Sequence, residues 1–255
     1  MRVFSHTCSN TEIVAALGAS DLLIGRDDDS DFPPEVAARV PAFGRDLDLR
    51  VDEVIALRPD LILTSLTVPG HERIVDAFRA AGIATLVCDP LGLDDVFGDI
   101  RRIADALHLS PRGEQLITEM LAAMPDRRDR KGPRVLIEWW PKPVIAPTRQ
   151  AWATDLIERA GGVNPWATID GKSSPLTDEQ VFDSPPDIVA ISWCGVPAAK
   201  LRPDVVLRRE GWQQVPAVRD QRVVAISEEY LGRPGPRLVE GYRRLRAAIE
   251  AVNPV

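Results

Sequence analysis

His6 and Cys8 stand two residues apart at the end of the first apolar run, Arg2-Val3-Phe4-Ser5. An imidazole and a thiolate are good ligands for a transition-metal ion. This His-x-Cys is the whole of the metal-ligand spacing that the sequence offers, and ordinary packing or hydrogen bonding competes with it. His71 and His108 fall at helix ends and read as surface or capping residues. Cys88 and Cys194 complete a set of three cysteines with no Cys-x-x-Cys pair. That excludes a zinc ribbon, a thioredoxin-type site and a dense disulfide framework, and leaves each cysteine as a small buried hydrophobe by default. Carboxylates near strand ends, Glu138, Glu228 and Glu229, could do acid–base work, but no partner spacing singles them out. No phosphate-cradling Gly-x-x-x-x-Gly-Lys, no Gly-x-Gly-x-x-Gly after a strand and no Gly-x-Ser-x-Gly elbow occurs. The expectation is a protein that binds and does not catalyse.

The tryptophans point the same way. All six lie in the second half, at 139, 140, 152, 166, 193 and 212. Trp139 and Trp140 follow the strand-like run Val135 to Glu138, and Trp193 follows Ile188 to Ser192. In open α/β sheets ligands bind outside the carboxyl ends of the strands. Indole faces there offer flat apolar contact to a large planar or bulky ligand, or else plug the end of a core.

The elements that would position these residues alternate. Strands are expected at 2–5, 22–24, 61–65, 85–87, 135–138, 188–192 and 223–226. Helices are expected at 11–17, 71–81, 94–107 and about 237–251, with one more ending at Ala160-Gly161-Gly162. Ser9-Asn10-Thr11-Glu12 has capping-box spacing. This βα alternation implies parallel or mostly parallel sheets. Asp52 to Ile62 is echoed by Glu179 to Val189: an acidic residue, a short apolar helix, a Pro-Asp pair that ends it, then a β-branched run. The repeat implies two Rossmann-like lobes, residues 1–109 and 132–255, joined by a single helix over 110–131. One helical spacer permits only small rocking, so a cleft between the lobes should be largely shaped before ligand arrives.

Composition narrows the partners. The 255 residues carry a net charge of -7, with a pI near 5.1, which argues against nucleic acid. No apolar run approaches the roughly 18 residues of a membrane span. No secretory signal precedes the first strand, so the chain reads as cytoplasmic as written, or as a mature periplasmic or cell-surface domain whose leader was removed.

Taken together, Ser9 to Glu12 with Ala15-Ala16-Leu17-Gly18, Ile24-Gly25, Ser30-Asp31-Phe32-Pro33-Pro34, Asp52 to Ile62, Ala81-Gly82-Ile83, Ala160 to Asn164 and Glu179 to Val189 resemble one family across nearly the whole chain. It is the class III substrate-binding proteins of ATP-driven importers, and the resemblance is strongest to those binding cobalamin or iron siderophores. The resemblance implies a monomer that takes a small-molecule metal chelate in the cleft, with no cofactor required and no membrane insertion. Cobalamin or a related corrinoid leads, with haem or an iron siderophore as alternatives. It further implies docking to an ABC permease through Asp52 and Glu179, with Glu53 and Asp178 beside them; helix capping is the competing role. Phe43, Ser65, Glu229 and Tyr230 fall at the family's ligand positions, although Asp29, Ser65 and Ser173 or Ser174 stand where cobalamin binders carry rings; Trp139, Trp140 and Trp193 could replace those rings from different loops. In that setting His6 or Cys8 would be an axial ligand to the chelated metal. A cytoplasmic corrinoid carrier or sensor without a transporter is a further reading of the same fold.

Overall fold

The Val/Ile/Leu runs become short strands buried on both faces, the pattern of a parallel sheet covered by helices. A computed structural model describes residues 1–252 and divides into two units, Met1–Pro90 with Asp95–Glu119, and Leu91–Asp94 with the described chain from Met120 onward.

Unit 1 runs β1 (Val3–Ser5), α1 (Cys8–Ala16), β2 (Leu23–Arg26), α2 (Pro34–Arg39), α3 (Val51–Ala56), β3 (Leu61–Ser65), α4 (His71–Ala80), β4 (Thr85–Cys88), most of α5 (Leu93–Ala106) and the first part of α6 (Ser110–Ala123), whose last turn belongs to unit 2. Its sheet is wholly parallel in the order β2-β1-β3-β4. Val3 lies opposite Leu23 on one side and Leu61 on the other. The order reverses between β1 and β3, and loops leaving those strands diverge to opposite faces there. Phe4, Val54, Ile62, Ile74 and Phe78 form a core beneath it.

Unit 2 runs β5 (Val135–Glu138), β6 (Trp140–Pro141), β7 (Val144–Pro147), α7 (Trp152–Arg159), β8 (Ser173–Leu176), α8 (Asp178–Asp183), β9 (Ile188–Ile191), α9 (Pro203–Leu207), α10 (Pro216–Arg219), β10 (Val223–Ala225), α11 (Glu228–Leu231) and α12 (Leu238–Glu250). The parallel sheet is β10-β9-β5. A second, antiparallel sheet, β6-β7-β8, was not expected from the sequence. Its strands are short, all three contain proline, and they carry no long β-branched run. Trp212 is fully buried in the core of this unit.

The repeated Pro-Asp module has one structural job performed twice. Asp60 accepts the backbone N–H of Arg2 at 2.7 Å and returns its own N–H to the Arg2 carbonyl at 2.8 Å. Asp187 does the same to Arg134, at 2.8 Å in both directions. Each aspartate pins the residue that opens the first strand of its unit. The helix before it, α3 or α8, stops short of the proline, whose ring cannot continue an α-helix.

Two expectations are corrected. The helix expected over 110–131 ends at Ala123, and 126–130 is irregular and charged. The capping box at Ser9 to Glu12 does not form: α1 begins at Cys8, so all four residues lie inside the helix and are buried. A run of polar side chains inside a short helix has found tertiary partners, which outweigh a local cap. Asn10 donates to the His6 carbonyl at 2.9 Å, and the Thr11 hydroxyl donates to Ser5 Oγ at 2.8 Å and meets Ser30 Oγ at 3.0 Å.

β4 ends against α5 at Cys88, where burial pushes the thiol up. Asp99 of α5 lies beside it, 7% exposed, with its carboxyl raised from 3.8 to about 6 by burial, against the pull of Arg102 at 2.8 Å. Asp95 adds to the rise. An acid whose folded pKa lies above its unfolded value holds its proton more tightly when folded. Stability from this group is therefore full below the unfolded pKa and is lost as pH rises through about 6. Asp99→Asn removes that contribution to the slope. Urea midpoints of the variant should gain on wild type between pH 4 and 7, and a constant difference would contradict the assignment.

Candidate ligand-binding site

The residues singled out from the sequence collect at the carboxyl ends of parallel strands, each within its own unit. In unit 1 the loop after β1 carries His6, Thr7 and Cys8, the loop after β2 carries Asp27 to Asp29, and β3 ends at Ser65. Asp27 organises this end. Wholly buried, it accepts the Thr7 N–H at 2.8 Å, the Ser30 hydroxyl at 2.6 Å and the Asp29 N–H at 2.9 Å. Burial raises its proton affinity, and the bonds from Ser30 and Thr7 oppose that rise. Thr7 itself sits at φ 82°, a strained region for a β-branched residue that the Asp27 bond holds in place.

His6 is fully buried with both ring nitrogens engaged, Nδ1 with Thr64 Oγ1 at 2.7 Å and Nε2 with the Asp46 carbonyl at 2.9 Å. Burial lowers its pKa to about 4, so the ring is neutral at ordinary pH. A ring so enclosed presents no face to a bulky chelate. Cys8, half-buried, donates its thiol to the Asp29 carbonyl at 2.8 Å. Cys88 is the buried hydrophobe that the sequence implied, whereas Cys194 is exposed. His108 lies exposed, as expected, just beyond α5. His71 does not: it is fully buried, not a surface residue. Its Nδ1 meets Ser65 Oγ at 3.3 Å, its Nε2 meets Asp46 Oδ2 at 3.2 Å, and its ring lies edge-on to His6 with centroids 4.9 Å apart. Burial alone would raise the Asp46 carboxyl, but the hydrogen bond from His71 and the charged groups around it, Arg45 among them, outweigh it and hold the group low. Ser65, 1% exposed, thus orients His71 and offers little surface of its own. Phe43 is half-buried, edge-on to Phe4 at 5.8 Å. Gly25 makes room for that pair, since a Cβ there would stand 2.8 Å from one ring and 2.9 Å from the other.

In unit 2 the tryptophans separate. Trp140 is 44% exposed and Trp139 is half-buried. Trp193 is core, 7% exposed, with its indole N–H donated to Glu138 Oε1 at 2.9 Å. It is therefore corrected from a ligand-facing ring to a structural one. Glu138, fully buried, also takes two bonds from Arg209, at 2.8 and 3.0 Å, and Arg209 lies 4.3 Å from the Trp212 ring. A charge with no solvent must be matched in this way. Arg209 was not legible in advance, because nothing local marks the partner of a carboxylate 71 residues away. After β10, Glu229 pairs with Arg237 at 2.9 Å, and the half-buried Tyr230 ring carries Arg237 and Arg244 at 4.8 and 4.6 Å.

The acidic residues of the repeated module lie exposed at the starts of α3 and α8. Glu53 pairs with Arg50 at 3.1 Å, and Asp178 accepts the Trp212 indole N–H at 2.8 Å. Thr177 and Gln180 form a complete capping box for α8.

The Glu138–Arg209 pair makes a stability prediction. Arg209→Met strands a buried carboxylate and should cost about 3–5 kcal/mol in denaturant unfolding. Adding Glu138→Gln to that variant should recover much of the loss. A loss below 1 kcal/mol for the single variant would mean that Glu138 reaches water.

Residues 3–230 match the periplasmic binding protein family. An uncharacterized ABC transporter substrate-binding lipoprotein of Bacillus subtilis (strain 168) is 29% identical over 258 residues, covering 97% of this chain and 79% of its own. A vitamin B12-binding protein of Yersinia pestis (strain Pestoides F) is 25% identical over 251 residues, covering 96% of this chain and 84% of its own. Among solved structures, the periplasmic heme-binding protein of Roseiflexus sp. RS-1 in apo form is 28% identical with a TM-score of 0.82, over 98% of both chains. These relatives are named for binding or transport and share the class III architecture of parallel sheets covered by helices. The family match spans most of the chain, and the chain belongs to the periplasmic binding protein family.

Proposed function

We propose that this protein is the substrate-binding component of an ABC importer and that its ligand is cobalamin or a closely related corrinoid. One observation carries the reading: at the carboxyl end of β5 an indole, Trp140, stands 44% exposed beside half-buried Trp139, the kind of surface on which a large macrocycle stacks. In the same unit, half-buried Tyr230 follows β10, and in unit 1 half-buried Phe43 lies beside the end of β2, its N–H on the Arg26 carbonyl.

Haem is the second reading, favoured by the likeness to the Roseiflexus protein. Charge favours the corrinoid. Haem carries two propionates, which call for cations, whereas the corrin rim is mostly uncharged amide. Here Arg45 pairs with Asp29, Arg233 with Glu228, Arg237 with Glu229 and Arg244 with Glu240. Cations already matched to carboxylates gain little by binding another anion, while matched pairs still offer hydrogen bonds to amides. The Glu229–Arg237 pair would meet the ligand's edge in this way.

Asp52 and Glu179 would orient docking on the permease. Both are exposed, and among the described residues neither carboxylate has an ion-pair partner, unlike Glu53. A charge-assisted pair to permease arginines fits that state.

Titration of the purified chain with cyanocobalamin, followed by tryptophan quenching and the corrin bands, should saturate at micromolar or tighter concentration. Trp140→Ala should weaken binding at least about tenfold, equivalent to one stacked ring. Haem binding without cobalamin binding would move the assignment to the second reading; binding of neither would send the search to iron siderophores. Asp52→Ala with Glu179→Ala should abolish ligand uptake in cells carrying the permease and leave affinity in solution unchanged. Full uptake by that variant would make both residues helix caps and nothing more.

A further inference from the structure

We propose that His6, His71 and Asp46 form a mononuclear site for a divalent first-row transition ion, zinc foremost, at the β1/β3 switch point of unit 1. Each of the three offers one ligand atom, and these atoms lie within 4.8 Å of one another; Nε2 of each imidazole is the nitrogen that faces Asp46. This site is separate from the macrocycle contacts and does not depend on them.

Two donor pairs here stand at the separation of atoms that share one ion. Two atoms each about 2.1 Å from a common ion stand roughly 3.0–3.4 Å apart at octahedral or tetrahedral angles. His71 Nε2 and Asp46 Oδ2 are 3.2 Å apart, and His6 Nε2 lies 2.9 Å from the Asp46 carbonyl oxygen, which offers a fourth donor. Two imidazoles and a carboxylate are a set that suits Zn²⁺, Ni²⁺, Cu²⁺ or Fe²⁺ and disfavours Mg²⁺ and Ca²⁺.

The surroundings are built for it. Each imidazole turns its Nδ1 to a hydroxyl from one of two consecutive β3 residues, Thr64 for His6 and Ser65 for His71. Without an ion each Nε2 donates to Asp46, to its carbonyl from His6 and to its carboxylate from His71, and each Nδ1 accepts from its hydroxyl. A bound ion would take the place of those two protons, and because a hydroxyl can also accept, each ring can then carry its proton on Nδ1. Such partners fix ring orientation and tautomer at metal-binding histidines. Both rings are fully buried, while the Asp46 side chain is 28% exposed and leaves the ion a way in. Arg45 adjoins the site but is drawn off by Asp29 at 3.1 Å. A switch point is where α/β sheets present ligand-binding loops, and here it presents metal ligands from both of its strands.

The test is titration of the metal-free full chain with Zn²⁺ by calorimetry, and with Co²⁺ by its visible d–d absorption. One ion per chain is expected, with a Co²⁺ spectrum lacking the near-ultraviolet thiolate charge-transfer band that Cys8 or Cys194 would add. His71→Ala and Asp46→Asn should abolish the stoichiometric step. Ser65→Ala should weaken it about tenfold to hundredfold, and His108→Ala on the surface should leave it unchanged. Asp46 is partly exposed, so its variant serves if His71→Ala fails to fold. Absence of a one-to-one step in wild type, or its survival in Asp46→Asn and His71→Ala, overturns the proposal and makes the three residues a hydrogen-bonded cluster. Cyanocobalamin titration of the same variants keeps the two sites apart, because losing the ion should not remove macrocycle binding.

Discussion

A single buried carboxylate sets the working end of unit 1. Asp27 has no solvent and takes hydrogen bonds from Thr7, Asp29 and Ser30, which belong to loops after two different strands. Without those donors an ionised group there would be too costly to keep. With them it fixes Thr7 at a backbone conformation the residue would not choose, and Thr7 lies between His6 and Cys8. The direction of both side chains follows from that one constraint. So does the entry of α1, whose polar residues Asn10 and Thr11 then reach back to His6 and Ser5.

Unit 2 solves the corresponding problem with a full ion pair. Glu138 ends β5 with no solvent, and Arg209, reaching from the turn after α9, meets both of its oxygens. The Trp193 indole completes the set. Of the next two residues, Trp139 stays half-buried and Trp140 is the exposed ring. The division between structural and available tryptophans therefore originates at a carboxylate.

The strands were legible because both-face burial demands β-branched apolar runs, and β3 and β5 begin and end where those runs do. Helix ends were legible where glycine adopts a left-handed backbone, as Gly18 and Gly82 do at φ 69° and 71°. What local pattern could not supply was the partner of a polar group. Ser9 to Glu12 has the spacing of a cap and serves as a buried network. His71 opens a helix, where exposure is the usual state, yet Ser65 and Asp46 enclose it. Trp193 follows a strand just as Trp139 does, and only the distant Glu138 tells them apart. In each case the decisive neighbour is distant in sequence or comes from a different element, and periodicity carries no trace of it.

The Pro-Asp clasps also bear on the order in which the chain becomes ordered. Arg2 is held by Asp60, 58 residues later, and Arg134 by Asp187, 53 residues later. On a ribosome, β1 emerges long before the aspartate that anchors it, and the same is true of β5. Neither strand gains its clasp until about half a unit has been made, so each parallel sheet closes late and as a block. The repeat is thus a pair of timing marks: two assembly events in one polypeptide, each waiting on its own aspartate.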